Sequence, residues 1–141
     1  MSAFSSTWLD LREAVDAASR APLPADLLAR RRADSGPLQI IDLACGTGAN
    51  LRYLAPRLGG EQHWTLIDND PVLLAAVPSR LAGWASGAHA RFVRERTGAM
   101  VLTGPGFECR ASTRVLDLAG GLEALDVSAV QLVTASALLD L

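Results

Sequence analysis

Apolar positions along the chain fall into two spacings, and their alternation lays out the elements. Leu38, Ile40 and Ile41 crowd into a short strand, Cys45-Gly46-Thr47-Gly48 makes a turn, and Leu51, Leu54 and Leu58 then recur at helical intervals. Gly59-Gly60 stops that helix, and His63 to Ile67 reads as a second strand. Asp70-Pro71 is an N-cap followed by a first helical residue, with Val72, Leu73, Ala76 and Val77 facing inward. Pro78 predicts a break, after which Leu81 and Trp84 continue the apolar side. Ser86 to Thr97, with Arg91, Arg94, Glu95 and Arg96 around Phe92-Val93, reads as an exposed connector, with a short helix as the alternative. Met100 to Thr103 and Phe107 to Ala111 flank Gly104-Pro105-Gly106, a hairpin signal.

Thr113 to Leu116 predicts a third core strand, and Leu122 to Leu125 a short helical turn. The near-continuous apolar run Ala129 to Val133 predicts a fourth strand, buried on both faces. Ahead of this α/β region, Ser5-Ser6-Thr7 caps a helix reaching about Ser19, with Leu9, Ala14, Val15 and Ala18 as its apolar face. After Pro22 and Pro24 comes a short helix, Ala25 to Arg32, and then a loop from Ala33 to Pro37. Arg30-Arg31-Arg32 reads as the solvated, dipole-favoured end of that helix. The chain thus divides into an N-terminal helical segment, residues 1–35, and an α/β domain, residues 36–141.

The chemistry gathers where the strands end. Gly46 and Gly48 remove side chains at the strand-to-helix handover, so a ligand can reach the backbone and the first helical N–H groups. Asp68 closes the second strand at about the 20-residue spacing of a nucleotide-binding βαβ unit, where a carboxylate accepts hydrogen bonds from ribose hydroxyls. The dinucleotide pattern needs a third glycine for close helix–sheet packing, and Leu51 stands there instead. Asp42, four residues before Gly46, puts a carboxylate at the mouth of the first strand. That charge suits a ligand carrying ammonium and sulfonium groups and opposes a pyrophosphate. A nicotinamide-dependent oxidoreductase is disfavoured on both counts.

Asp42-Leu43-Ala44-Cys45-Gly46-Thr47-Gly48 resembles motif I of the class I S-adenosylmethionine-dependent methyltransferases, and Asp68-Asn69 resembles that family's ribose-binding position. The resemblance implies a Rossmann-like, doubly wound, mainly parallel sheet, here ending after the fourth strand in the order 3-2-1-4. It also implies S-adenosylmethionine as cofactor, with Asp42, Ala44, Gly46, Gly48, Asn50, Asp68, Asn69, Asp117, Leu118 and Thr134 binding it. Within that set, Asp117 would take the adenine amino group and Leu118 would cover the ring. Thr134-Ala135-Ser136 resembles the motif IV region near the methyl group. By the same analogy the N-terminal helix is a flap over the cofactor, with Trp8 or Arg12 contributing. The family motif binds cofactor and names no catalytic base, so none is assigned.

Composition narrows the alternatives. With 141 residues, 50% hydrophobic and a formal net charge of -2, the chain is one domain at most and carries no global charge to gather nucleic acid. All 13 basic residues are Arg, which excludes a P-loop lysine, a Schiff-base lysine and a lysine general base. Cys45 and Cys109 form no C-x-x-C pair, and with His63 and His89 they show no metal-ligand spacing. No signal-peptide pattern or membrane-length apolar run is visible, so the expected location is cytoplasmic.

The expected activity is methyl transfer to a small-molecule acceptor. The alternative is a non-catalytic module that binds S-adenosylmethionine or S-adenosylhomocysteine and needs a partner or a further C-terminal half. An apolar fourth strand with an open edge, followed by Ser136 to Leu139, predicts self-association through that edge.

Overall fold

The computed structural model describes residues 5–33 and 36–135, the side chains of 30–33 excepted. The Arg30-Arg31-Arg32 side chains and the segment Ser136 to Leu139 lie outside the described residues. Helices α1 (Ser6–Ser19) and α2 (Ala25–Ala33) precede strand β1 (Leu38–Leu43), helix α3 (Ala49–Leu58), strand β2 (Gly60–Asp68) and helix α4 (Pro71–Gly87). Three strands follow, β3 (Arg91–Arg94), β4 (Met100–Gly104) and β5 (Phe107–Val115). The short helix α5 (Leu118–Gly121) and a 3-10 turn (Leu122–Ala124) then lead to β6 (Leu132–Ala135). Among the described residues no helix is long and apolar enough to cross a membrane.

One mixed sheet of six strands, ordered β3-β4-β5-β2-β1-β6, organises the chain. β1 pairs in parallel with β2 and β6, and β2 in parallel with β5. β3–β4 and β4–β5 are antiparallel. The expected order 3-2-1-4 is therefore not matched exactly: the parallel strands β5-β2-β1-β6 follow it, but an antiparallel extension continues the sheet beyond β5.

Two sequence patterns concealed that extension. Ser86 to Thr97 is no mere connector, since Arg91–Arg94 forms an edge strand with Phe92 opposite Leu102. Its charged residues are what a sheet edge tolerates, since they discourage further pairing. The hairpin arm Phe107 to Ala111 and the expected strand Thr113 to Leu116 are one strand, β5. Phe107, Cys109 and Ala111 alternate inward along its first half, and that half pairs with β4 and β2 at once.

α3 and α4 pack on the same face of the sheet. Leu51, Leu54 and Leu58 of α3 and Leu74, Val77 and Leu81 of α4 meet Ile40, Trp64, Leu66, Leu102 and Cys109 in one buried cluster. Arg114 points to the opposite face, where it donates to the Ala124 carbonyl oxygen, so the β5-to-β6 crossover runs on that side. α4 runs unbroken through Pro78, contrary to the expected break. The proline removes one helical hydrogen bond, but Leu74, Val77, Leu81 and Ala85 are buried on either side of it. Val72 is 73% exposed rather than inward, and Leu74 takes its place.

Two further expectations are corrected at the ends of the fold. β6 is not buried on both faces: it pairs with β1 on one side, Leu132 turns inward and Val133 is 51% exposed. α1 buries no residue, and its apolar side (Ala14, Val15, Ala18) is exposed.

A buried polar relay closes the α3–β2 corner. Gln62 Nε2 donates to the carbonyl oxygens of Ala55 (2.8 Å) and Gly59 (3.0 Å), and its Oε1 accepts from Trp64 Nε1 (2.9 Å). Gln62 is 0% and Trp64 2% exposed, so neither of these side chains has water as a substitute partner. Gln62→Leu is expected to destabilise the protein by about 1–3 kcal/mol in chemical denaturation, because the buried Trp64 indole would be stranded.

Candidate functional site

The parallel strands end together, and this brings the acidic positions to one edge. Asp42 stands opposite Leu66 on one side and Thr134 on the other, while Asp68 stands opposite Val115. The glycine turn fills the space between β1 and α3. Ala44 (φ 52°), Gly46 (φ 56°) and Gly48 (φ 91°) all lie in the left-handed region. Gly48 supplies the helix cap without a side-chain hydrogen bond, leaving the first amides of α3 without a side-chain partner at that position. The turn is tied to β2 by the Cys45 amide, which donates to the Ile67 carbonyl oxygen (2.9 Å).

Asp68 holds this turn directly. Its Oδ2 accepts from the Gly46 amide (2.9 Å) and its Oδ1 from the Asp70 amide (2.9 Å). A carboxylate has about four lone-pair positions, so each oxygen keeps capacity for a further donor. Asp70 caps α4 through the Val72 amide, in line with its position ahead of Pro71.

Asp42 is fully buried. Its Oδ1 accepts from Asn50 Nδ2 (2.9 Å) and from Thr134 Oγ1 (2.8 Å), whereas its Oδ2 and the Asn50 Oδ1 have no hydrogen-bond partner among the described residues. Burial pushes the carboxyl up from its ordinary value of 3.8 to about 6; the bonds from Asn50 and Thr134 and the charge of Arg20 pull the other way, and Asp68 adds to the rise. Two buried acceptor atoms thus stand without a donor among the described residues, a costly arrangement that a ligand carrying N–H groups would relieve.

The predicted site residues separate into those the fold joins and those it leaves apart. Asp42, Asn50 and Thr134 form one hydrogen-bonded group, and Asp68 with Gly46 forms another. Asn69 is exposed beside Asp68. Asp117 is exposed and caps α5 by accepting from the Ala119 amide (3.0 Å), with half-buried Leu118 next to it. No hydrogen bond among the described residues links Asp117 or Leu118 to the other groups. Cys45 is buried and its thiol is pushed up, first by burial and then by Asp42 and Asp68, so it stays protonated and inert.

The helix expected to act as a flap does lie against the turn, but through a different residue. Leu9, not Trp8 or Arg12, faces Gly46: a Cβ on that glycine would come within 3.2 Å of Leu9 Cδ1. Arg12 instead stacks on Trp8 at 4.6 Å and pairs with Asp16 along the same helix. Arg52 escaped the sequence reading altogether. It is 5% exposed, its Nη1 donates to the Thr47 carbonyl oxygen (2.7 Å), and its Nε (2.8 Å) and Nη2 (2.7 Å) donate to Glu13 of α1. Nothing in the spacing of α3 marks this arginine, because its partners come from the turn behind it and from a helix 39 residues away.

The raised Asp42 carboxyl has a consequence for stability. The folded state holds the proton more tightly than the unfolded chain, so the favourable contribution is complete below pH 3.8 and is lost as the pH rises through about 6. Relative to Asp42→Asn, the wild-type protein is expected to lose up to about 3 kcal/mol of stability between pH 4 and pH 7, measured by denaturant titration across that range. A constant difference would show that the carboxyl is not perturbed.

Comparison with known proteins matches a family described as "Methyltransferase domain" to residues 40–118, more than half of the chain. Among curated proteins nothing matches. The matched stretch runs from β1 through the glycine turn and Asp68 to Asp117-Leu118, and so takes in all of the sheet-edge residues above except Thr134. The chain belongs to the class I S-adenosylmethionine-dependent methyltransferase family.

Proposed function

We propose that this chain binds S-adenosylmethionine at the C-terminal edge of its parallel strands and serves methyl transfer to a small-molecule acceptor. One observation carries the reading: the buried Asp42 carboxylate, fixed by Asn50 and Thr134, leaves Oδ2 without a donor beside a second bare acceptor, Asn50 Oδ1. An α-ammonium group is the ligand part that satisfies such a pair, by charge and by hydrogen bonding. A pyrophosphate would be repelled by the same carboxylate. The residues present therefore fit the family's cofactor.

Each element has a defined task in that reading. Gly46 and Gly48 let the ligand backbone lie close to the turn, and Asp68 keeps lone pairs for ribose hydroxyls while it holds the Gly46 amide. Asp117 and Leu118, two and three residues beyond the end of β5, would receive the adenine. The cofactor supplies a methyl group already activated by its sulfonium, so the chain's contribution is to bind, orient and exclude water. A small acceptor accords with the formal net charge of -2, which gives no field to collect a polyanion.

Calorimetric titration with S-adenosylmethionine and S-adenosylhomocysteine tests this directly. Saturable one-site binding is expected, with no binding of nicotinamide dinucleotides. Asp68→Ala should weaken the adenosine ligands by about 10- to 150-fold, corresponding to about 1.5–3 kcal/mol for a charge-assisted hydrogen bond. Affinity should also fall below pH 6, because an ammonium ligand selects ionised Asp42. Affinity that stayed flat from pH 5 to pH 8 would remove Asp42 from the site.

A further inference from the structure

α1 is attached to the protein by charge rather than by burial. Leu11 (77%) and Val15 (66%) face solvent, and no residue of the helix is buried. Its links to the body include Glu13 with Arg52, Asp10 with Arg80 (2.6 Å), and Leu9 against Gly46. Arg52 does two things with one guanidinium. Two of its nitrogens hold the Glu13 carboxylate and the third holds the Thr47 carbonyl, in the middle of the glycine turn. A guanidinium that is 5% exposed needs its counter-charge, and among the described residues Glu13 provides it. Were α1 to lift, Arg52 would lose its carboxylate and turn toward water, which would loosen its hold on Thr47.

We propose that Arg52 is a positioning residue that couples the docking of α1 to the shape of the glycine turn, so that the turn is held in its binding geometry when α1 is down. The proposal rests on the S-adenosylmethionine reading for its functional meaning, but the coupling itself is a property of the ligand-free protein. Because the planar fork spans both partners, a lysine cannot replace it: one ammonium cannot reproduce a bidentate grip on Glu13 and a separate bond to Thr47.

Hydrogen–deuterium exchange of the ligand-free chain, read by mass spectrometry, separates the parts. Glu13→Gln leaves Arg52 in place and removes only the charge on α1. It is expected to raise exchange about 10-fold both in α1 and in the Gly46–Asn50 amides, with the α4 and β5 amides unchanged. Dissociation of S-adenosylhomocysteine, followed by stopped flow, should quicken by a similar factor, and Arg52→Lys should show the same joint effect. Faster exchange in α1 alone, with the turn unmoved, would overturn the coupling, as would no change in either. If the wild-type chain binds no adenosine ligand, the cofactor reading fails while the exchange experiment still decides the coupling.

Discussion

The solvation of two carboxylates by protein groups governs the sheet edge. Asp68 is satisfied by backbone: the Gly46 and Asp70 amides take one oxygen each, so a single side chain fixes both the glycine turn and the start of α4. Asp42 is satisfied on one oxygen only, and the other is buried without a donor among the described residues. The difference gives the two acids different work. Asp68 is chiefly a brace with spare lone pairs, while Asp42 is a half-satisfied carboxyl that burial pushes up toward neutrality.

The glycine turn is braced from both ends. On the sheet side, Asp68 and the Ile67 carbonyl hold the Gly46 and Cys45 amides; on the helix side, Arg52 holds the Thr47 carbonyl. A turn with left-handed residues at 44, 46 and 48 has an intrinsic cost, since Ala44 carries a Cβ in that region. Such a conformation persists where surrounding hydrogen bonds over-determine it. Arg52 brings α1 into that set, which explains how a helix without buried side chains keeps a place against the site.

Much of this was legible in the residues. The β1–turn–α3 unit, the Asp70-Pro71 start of α4 and the hairpin at Gly104 to Gly106 follow from periodicity and turn chemistry, which act within a few residues. The Asp42–Asn50 contact sits within that legible segment, and Thr134 reaches Asp42 because parallel strands end together. The failures have a common origin. Pro78 reads as a break because local propensity cannot weigh the buried residues on either side of it. Arg91 to Arg94 reads as loop because an edge strand is specified by its neighbour, and Phe92 shows its role only once Leu102 lies opposite.

By itself, the sequence determined the nucleotide-type βαβ unit, the family, and the two acids at the strand ends, because each of these is written in local spacing around glycines and strand ends. Only the tertiary structure decided that β5 carries both the hairpin and the core strand, that α1 turns its polar side to the protein, and that Arg52 joins α1 to the turn. Those outcomes depend on which surfaces are dry and which charges meet across 39 or more positions. Burial and pairing at such range are properties of the packed chain, and no periodicity encodes them.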